Sequence, residues 1–177
     1  GRVWGGRDVE RVDVVVDETI ALEGRAEFYD GTGALKDMVQ SHLLQVLAMA
    51  ALEPPERLRP QELHDAVVEV LRATRVWQDD PVAASRRARY TAGEVDGERI
   101  PAYAEEEGVD PGLRTETLAE VTLAVDTERW RGVPFLLTPF LHLGDPENAR
   151  DRTRAQYTKP RRPRAGRSSI LCRSASH

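Results

Sequence analysis

Residues Glu23 to Gln45 read E-G-R-A-E-F-Y-D-G-T-G-A-L-K-D-M-V-Q-S-H-L-L-Q. An aromatic pair, Phe28-Tyr29, and two turn-forming glycines, Gly31 and Gly33, stand directly before a run of helical periodicity. Leu35, Met38, Val39, Leu43, Val46 and Leu47 recur at the spacing of an amphipathic helix. The pattern predicts a helix from about Gly33 to Leu52, stopped by Pro54-Pro55. Asp37 and His42 are set into that helix.

On the N-terminal side, Val9 to Asp17 reads V-E-R-V-D-V-V-V-D, with Val12, Val14 and Val16 alternating with Asp13, Val15 and Asp17. That alternation predicts a strand with one face buried. On the C-terminal side, Pro60-Gln61-Glu62-Leu63 opens a second helix, with Leu63, Val67, Val70 and Leu71 at helical spacing. Asp79 to Pro81 reads as a turn, and the Gly and Pro content of Arg89 to Glu107 predicts loop with short strands. Thr115 to Asp126 predicts a second clear strand, and Gly132 to Leu137 the start of a neighbour. After Leu137 the pattern fails. Asp145 to Arg167 has no Val, Ile, Leu, Met, Phe or Trp, so it cannot bury enough apolar area to offset its ordering entropy, and disorder is expected.

The chain has 177 residues, enough for one domain with a real core, and a formal net charge of -5. That charge is unevenly spread. From Thr138 onward there are nine Lys or Arg against three Asp or Glu, a balance of +6, which leaves -11 on residues 1 to 137. Cys172 is the single cysteine, so an internal disulfide is excluded, in keeping with a cytoplasmic location. The longest strongly apolar run, Leu43 to Leu52, falls short of the ~20 residues of a membrane span. Four scattered histidines and a distant cysteine give no metal-ligand spacing, and no G-x-G-x-x-G or P-loop is present.

His42 has Met38 and Val46 four residues to either side, and a lone histidine on such a face is ordinarily a satisfied core residue. Imidazole nevertheless titrates near neutral pH, as a general base must. Asp37 lies five residues earlier, about 140° away around an α-helix at ~100° per residue. Spacing alone therefore does not place the two in one site, and a first-turn acid also favours the helix dipole. Glu18 ends the first strand, where a solvated carboxylate is the ordinary reading. His64, among Leu63, Val67 and Val68, reads as structural.

The Glu23–Gln45 segment closely resembles the start of the substrate domain of glucose-6-phosphate dehydrogenase. The resemblance extends through Tyr90-Thr91-Ala92-Gly93, Glu105-Glu106 with Gly108-Val109, Thr115-Glu116-Thr117, and Arg129-Trp130-x-Gly-Val-Pro-Phe. Leu118 stands where that family usually has Phe. The resemblance implies an α+β fold, a partial C-terminal domain with helices packed on an incomplete, mainly antiparallel sheet. It divides the chain into residues 1–137, the partial domain, and 138–177, a divergent basic tail that is disordered or frameshifted.

In that family the residue matching His42 is the catalytic base that takes the C1 hydroxyl proton while hydride passes to NADP. Those matching Asp37 and Glu18 bind sugar hydroxyls, and paired carboxylates suit a polyol because each accepts several hydrogen bonds. The implied reaction oxidises glucose 6-phosphate to 6-phosphogluconolactone, the first step of the pentose phosphate pathway. NADP is the implied cofactor, bound on an N-terminal domain outside this sequence, with no metal, no nucleic acid, no membrane and a homo-oligomeric parent.

The departures are equally specific. The R-I-D-H-Y-L-G-K-E motif, whose aspartate orients the histidine, is missing. The G-K of the following strand is replaced by Leu136-Leu137-Thr138-Pro139-Phe140-Leu141-His142-Leu143. The isolated chain is thus expected to be inactive, and the strands at Val12–Val16 and Val121–Val125 to lack sheet neighbours. The competing readings are a non-catalytic interaction protein or decayed gene product that keeps the scaffold, and, more weakly, a nucleic-acid binder acting through the tail.

Overall fold

The computed structural model describes residues 4–18, 26–95, 98–141, 154–158 and 171–173. The alternating valines form β1 (Arg11–Glu18), with Val12, Val14 and Val16 all turned into the core. A short helix, α1 (Ala26–Asp30), follows where the sequence suggests only loop, and it leads into the long helix. That helix is wound in two ways, as a π-helix over Leu35–Leu43 and then as α2 (Leu44–Ala51). The second helix is α3 (Pro60–Ala73), with proline in its first turn.

Strands β2 (Thr74–Val76) and β3 (Ser85–Ala88) come next, then a hairpin of β4 (Gly93–Val95) and β5 (Glu98–Ile100). β6 (Leu118–Val125) and β7 (Pro134–Leu141) match the two strands expected there. β8 (Arg154–Thr158) and β9 (Leu171–Arg173) complete the described elements.

The main sheet has the order β2-β6-β7-β1-β8-β9, with β3 continuing the β2 edge along β6. β1 and β7 run parallel, with Val12 opposite Phe135, and the other described pairings are antiparallel. The fold is α+β, as the sequence implies. Met38, Val39, Leu43, Leu47, Ala48 and Ala51 of the long helix pack on Val12, Val14, Val16, Leu123, Val125, Phe135 and Leu137 of the sheet. Val70 brings α3 onto the same core. Among the described residues no helix is long and apolar enough to cross a membrane.

Two expectations about the sheet are corrected. Val12–Val16 and Val121–Val125 do not lack neighbours, because β1 lies between β7 and β8, and β6 between β7 and the β2/β3 edge. The pattern also does not stop at Leu137. β7 carries on to Leu141, with Thr138 and Pro139 buried. Further on, Arg154–Thr158 is a strand on the free edge of β1, inside the stretch for which disorder is expected. A ladder needs only backbone groups, so a strand can form on an open edge without apolar side chains of its own. Apart from Arg154–Thr158 and Leu171–Arg173, residues 142–177, including His142 and His177, lie outside the described residues.

Candidate active site

The long helix begins at a turn that requires glycine. Gly33 has φ +70, and a Cβ there would fall 2.7 Å from Glu116 Oε1. The close approach has a purpose. Glu116 Oε1 accepts the backbone N–H of Leu35 at 3.0 Å, and the Glu116 carbonyl accepts that of Ala34 at 3.1 Å. Helix starts leave their first N–H groups without partners, and a carboxylate there also complements the dipole. Arg87 lies 3.9 Å from the other carboxylate oxygen of Glu116.

The flanking threonines hold the same junction. The Thr115 hydroxyl donates to the Asp30 carbonyl at 2.6 Å, and Thr117 Oγ1 accepts the Tyr90 N–H at 2.9 Å. Thr115-Glu116-Thr117 therefore ties the end of α1, the start of the long helix and the Tyr90 segment to the beginning of β6.

The residue after the tyrosine, Asp30, is buried, 5% exposed. Its carboxylate accepts the Tyr103 hydroxyl and the Asp110 N–H, each at 2.8 Å. Burial acts to raise its pKa, but these hydrogen bonds outweigh it and hold the group below its ordinary value. Tyr29 and Tyr90 meet the Tyr103 ring edge-on, with centroids 6.2 and 5.6 Å away. Burial and the bond to Asp30 push the Tyr103 phenol well up. This cluster orders the loop beneath the helix start.

At the other end, Trp130 Nε1 donates to the Ala51 carbonyl at 2.7 Å and Arg129 Nη1 to the Leu52 carbonyl at 2.8 Å. The Arg129 guanidinium also donates to the Trp4 carbonyl and lies 4.7 Å from the Trp130 ring centroid. These groups satisfy the last carbonyls of the helix. The two segments that bracket β6, Thr115–Thr117 and Arg129–Trp130, thus clamp the two ends of one helix.

Between the clamps lie Asp37 and His42. Both belong to the π-helical stretch, in which each N–H bonds five residues back; the Leu44 N–H, for instance, reaches the Val39 carbonyl. Such a turn takes roughly 4.4 residues, so five residues overshoot one turn by only about 50°. The 140° separation expected from α-helical winding does not apply, and Asp37 and His42 share one side of the helix. His42 is exposed and Asp37 half-buried, so His42 is not the core histidine that its apolar neighbours suggest. Among the described residues neither side chain has a hydrogen-bond or ion-pair partner.

Glu18 closes β1, which packs against this π-helix; its side chain lies outside the described residues. His64 sits on the exposed face of α3, 3.6 Å from Asp65, rather than in the core. The described residues contain no group of three or more His, Cys, Asp or Glu able to hold a metal ion. Sequence reasoning gave Glu116 no role of its own. The signal was present, an acid between two threonines just before a strand, but its partner lies 81 residues away.

Comparison with known proteins agrees with this architecture. The sequence profile of the family described as "Glucose-6-phosphate dehydrogenase, C-terminal domain" matches residues 1–144. A glucose-6-phosphate 1-dehydrogenase of Gluconobacter oxydans is 46% identical over 135 residues, which is 76% of this chain and 27% of that protein. One from Bacillus subtilis is 40% identical over 136 residues, 76% of this chain and 28% of that protein. The chain thus spans about a quarter of the length of the curated relatives it matches.

Among solved structures, a glucose-6-phosphate dehydrogenase in complex with its substrate glucose-6-phosphate superimposes with a TM-score of 0.79 at 25% identity, over 96% of this chain and 34% of that one. The Mycobacterium avium glucose-6-phosphate 1-dehydrogenase gives a TM-score of 0.70 at 30% identity, over 92% of this chain and 32% of that one. With its profile match covering most of the sequence, and with a helix clamped between the two segments that bracket β6, the chain belongs to the glucose-6-phosphate dehydrogenase C-terminal domain family.

Proposed function

We infer that this chain is the substrate-binding portion of an NADP-dependent glucose-6-phosphate dehydrogenase of the cytoplasm, homo-oligomeric as a whole enzyme. The observation that carries this reading is the π winding that sets Asp37 and His42 on one side of a helix pinned at both ends. His42 serves as the base that takes the proton from the C1 hydroxyl of glucose 6-phosphate. Asp37 accepts neighbouring sugar hydroxyls and so sets the C1 hydroxyl against the imidazole; Glu18 adds a second carboxylate. A pinned helix suits this work because a base contributes only when it is held within hydrogen-bond reach of its proton.

The start of the long helix does not fit a dinucleotide phosphate. A phosphate would be drawn to a helix start with free N–H groups, but at Gly33–Leu35 the Glu116 carboxylate already takes that place. No glycine-rich strand-to-helix turn occurs in the sequence. On this reading, and as the family resemblance implies, the cofactor binds an N-terminal domain outside this sequence and the isolated chain is inactive.

Two assays test the reading. The purified chain should not reduce NADP with glucose 6-phosphate; turnover above background that is abolished by His42→Ala would refute the assignment of the cofactor site. Residues 1–137 grafted over the matching segment of the Gluconobacter enzyme, which keeps that enzyme's own continuation of the strand, should restore turnover, and His42→Asn in that chimera should lower kcat by ~10²–10⁴ with little change in KM. A raised KM with unchanged kcat would make His42 a binding residue instead.

A further inference from the structure

We propose that the wide winding of Leu35–Leu43 is what builds the Asp37–His42 pair, and that Glu116 is the positioning residue that sustains it. This deepens the reading above by naming the device behind it.

Long π-helical runs are rare, because the wider turn gives up contacts and most examples are single-turn bulges. Here the run covers nine residues, and three features accompany it. The first is the burial pattern. Ala34, Met38, Val39 and Leu43 are the buried positions, so the core contact recurs after two turns at nine residues, as wide winding requires. Beyond Leu43 the buried positions become Leu47, Ala48 and Ala51, the ordinary α-helical spacing, where the structure is α-helical. The second is the Ser41 hydroxyl, which donates to the Lys36 carbonyl five residues back at 3.2 Å.

The third is Glu116. A helix leaves its first N–H groups without intrahelical partners, whatever its winding further along. Glu116 takes two in succession, Ala34 with its carbonyl and Leu35 with its carboxylate. Its side chain is 12% exposed, although Leu35 on the other side of the bond is open to solvent. Two donors at the entry to the wide turns are therefore held by one residue of the neighbouring segment.

The experiment uses a metal ion as a ruler on the full 177-residue chain. Asp37→His creates two imidazoles five residues apart. They can chelate one Ni²⁺ ion if they share a side, and cannot if they stand 140° apart. Titration calorimetry should show Asp37→His binding Ni²⁺ at least ~30-fold more tightly than the native chain, an increment lost in Asp37→His/His42→Ala. An affinity no greater than native overturns the alignment.

In the Asp37→His background, Glu116→Ala should weaken the chelate about tenfold or more, and Glu116→Gln, whose amide oxygen still accepts from Leu35, should restore it. Glu116→Met, which keeps the stem and removes both acceptor oxygens, serves where the alanine variant does not fold. A purely structural Glu116 would lower the melting temperature and leave the affinity of the folded chain unchanged, and that result overturns its positioning role. None of these readouts depends on catalysis, so failure of the activity assays would leave them standing, and their failure would leave the assays standing.

Discussion

Glu116 and Leu35, 81 residues apart in sequence, are joined by a 3.0 Å hydrogen bond from the Leu35 N–H to the Glu116 carboxylate, with Gly33 fitted between them. Gly33→Ala should therefore be damaging for two separable reasons. The φ of +70 costs a residue with a Cβ about 1–2 kcal/mol. The new methyl would also stand 2.7 Å from Oε1, driving the carboxylate off the helix start. The second cost disappears once the carboxylate is gone, so Gly33→Ala and Glu116→Ala together should destabilise the chain by less than the sum of the two. A double-mutant cycle in urea checks this, and strict additivity would mean the two residues do not act on one another.

At the opposite end, Trp130→Phe keeps most of the buried ring and removes the N–H that the Ala51 carbonyl accepts. A buried carbonyl left unpaired costs ~1–3 kcal/mol. Denaturant midpoints should fall accordingly. Arg129→Lys should also destabilise the chain, because one ammonium cannot reproduce a fork that reaches both the Trp4 and Leu52 carbonyls.

The Asp30 cluster makes stability depend on pH at both extremes. Hydrogen bonds depress the folded-state pKa of Asp30 below the ordinary 3.8, despite burial. The stabilisation is thus complete above that value and lost as pH falls through the folded value. Burial and the Asp30 bond raise Tyr103 above 10.0, so its contribution is complete below pH 10 and lost as the phenol ionises at higher pH. Asp30→Asn should flatten the acid limb of a melting-temperature profile below about pH 4, and Tyr103→Phe the alkaline limb above about pH 10. Unchanged limbs would show that other groups set them.

How far the sequence carried this reading depended on what each signal reports. Valine alternation fixed β1 and β6, because a period of two has one structural meaning. The long helix was legible from Gly33 to Leu52, but its winding was not. The periodicity puts Leu35 on the buried face, yet it is 43% exposed. The true stripe, Ala34, Met38, Val39 and Leu43, has an alanine at its first position, where a small side chain gives little periodic signal. That miss produced the mistaken 140° between Asp37 and His42. β3, with Ser85-Arg86-Arg87-Ala88 wholly exposed, has no apolar alternation to find; it is a strand because β6 offers it an edge. Arg154–Thr158 escaped for the same reason, since pairing to β1 is a property of the partner.

The two polar residues of the helix should separate in kinetics once the chain is grafted into the Gluconobacter enzyme. A base that takes a proton in the transition state governs kcat, whereas a carboxylate that accepts sugar hydroxyls in both ground and transition states governs binding. Hydrogen bonds to a charged group are worth ~1.5–3 kcal/mol, so Asp37→Ala should raise KM for glucose 6-phosphate by roughly 10- to 150-fold. Asp37→Asn keeps one acceptor oxygen in nearly the same place and should lose less. Because Asp37 and His42 share one side of a helix fixed at both ends, removing the Asp37 carboxylate leaves the imidazole where it was. Turnover at saturating sugar should then stay within about threefold of the parent chimera. A fall in kcat as large as that of His42→Asn would show that Asp37 acts on the imidazole or on the reacting centre rather than on the sugar hydroxyls alone.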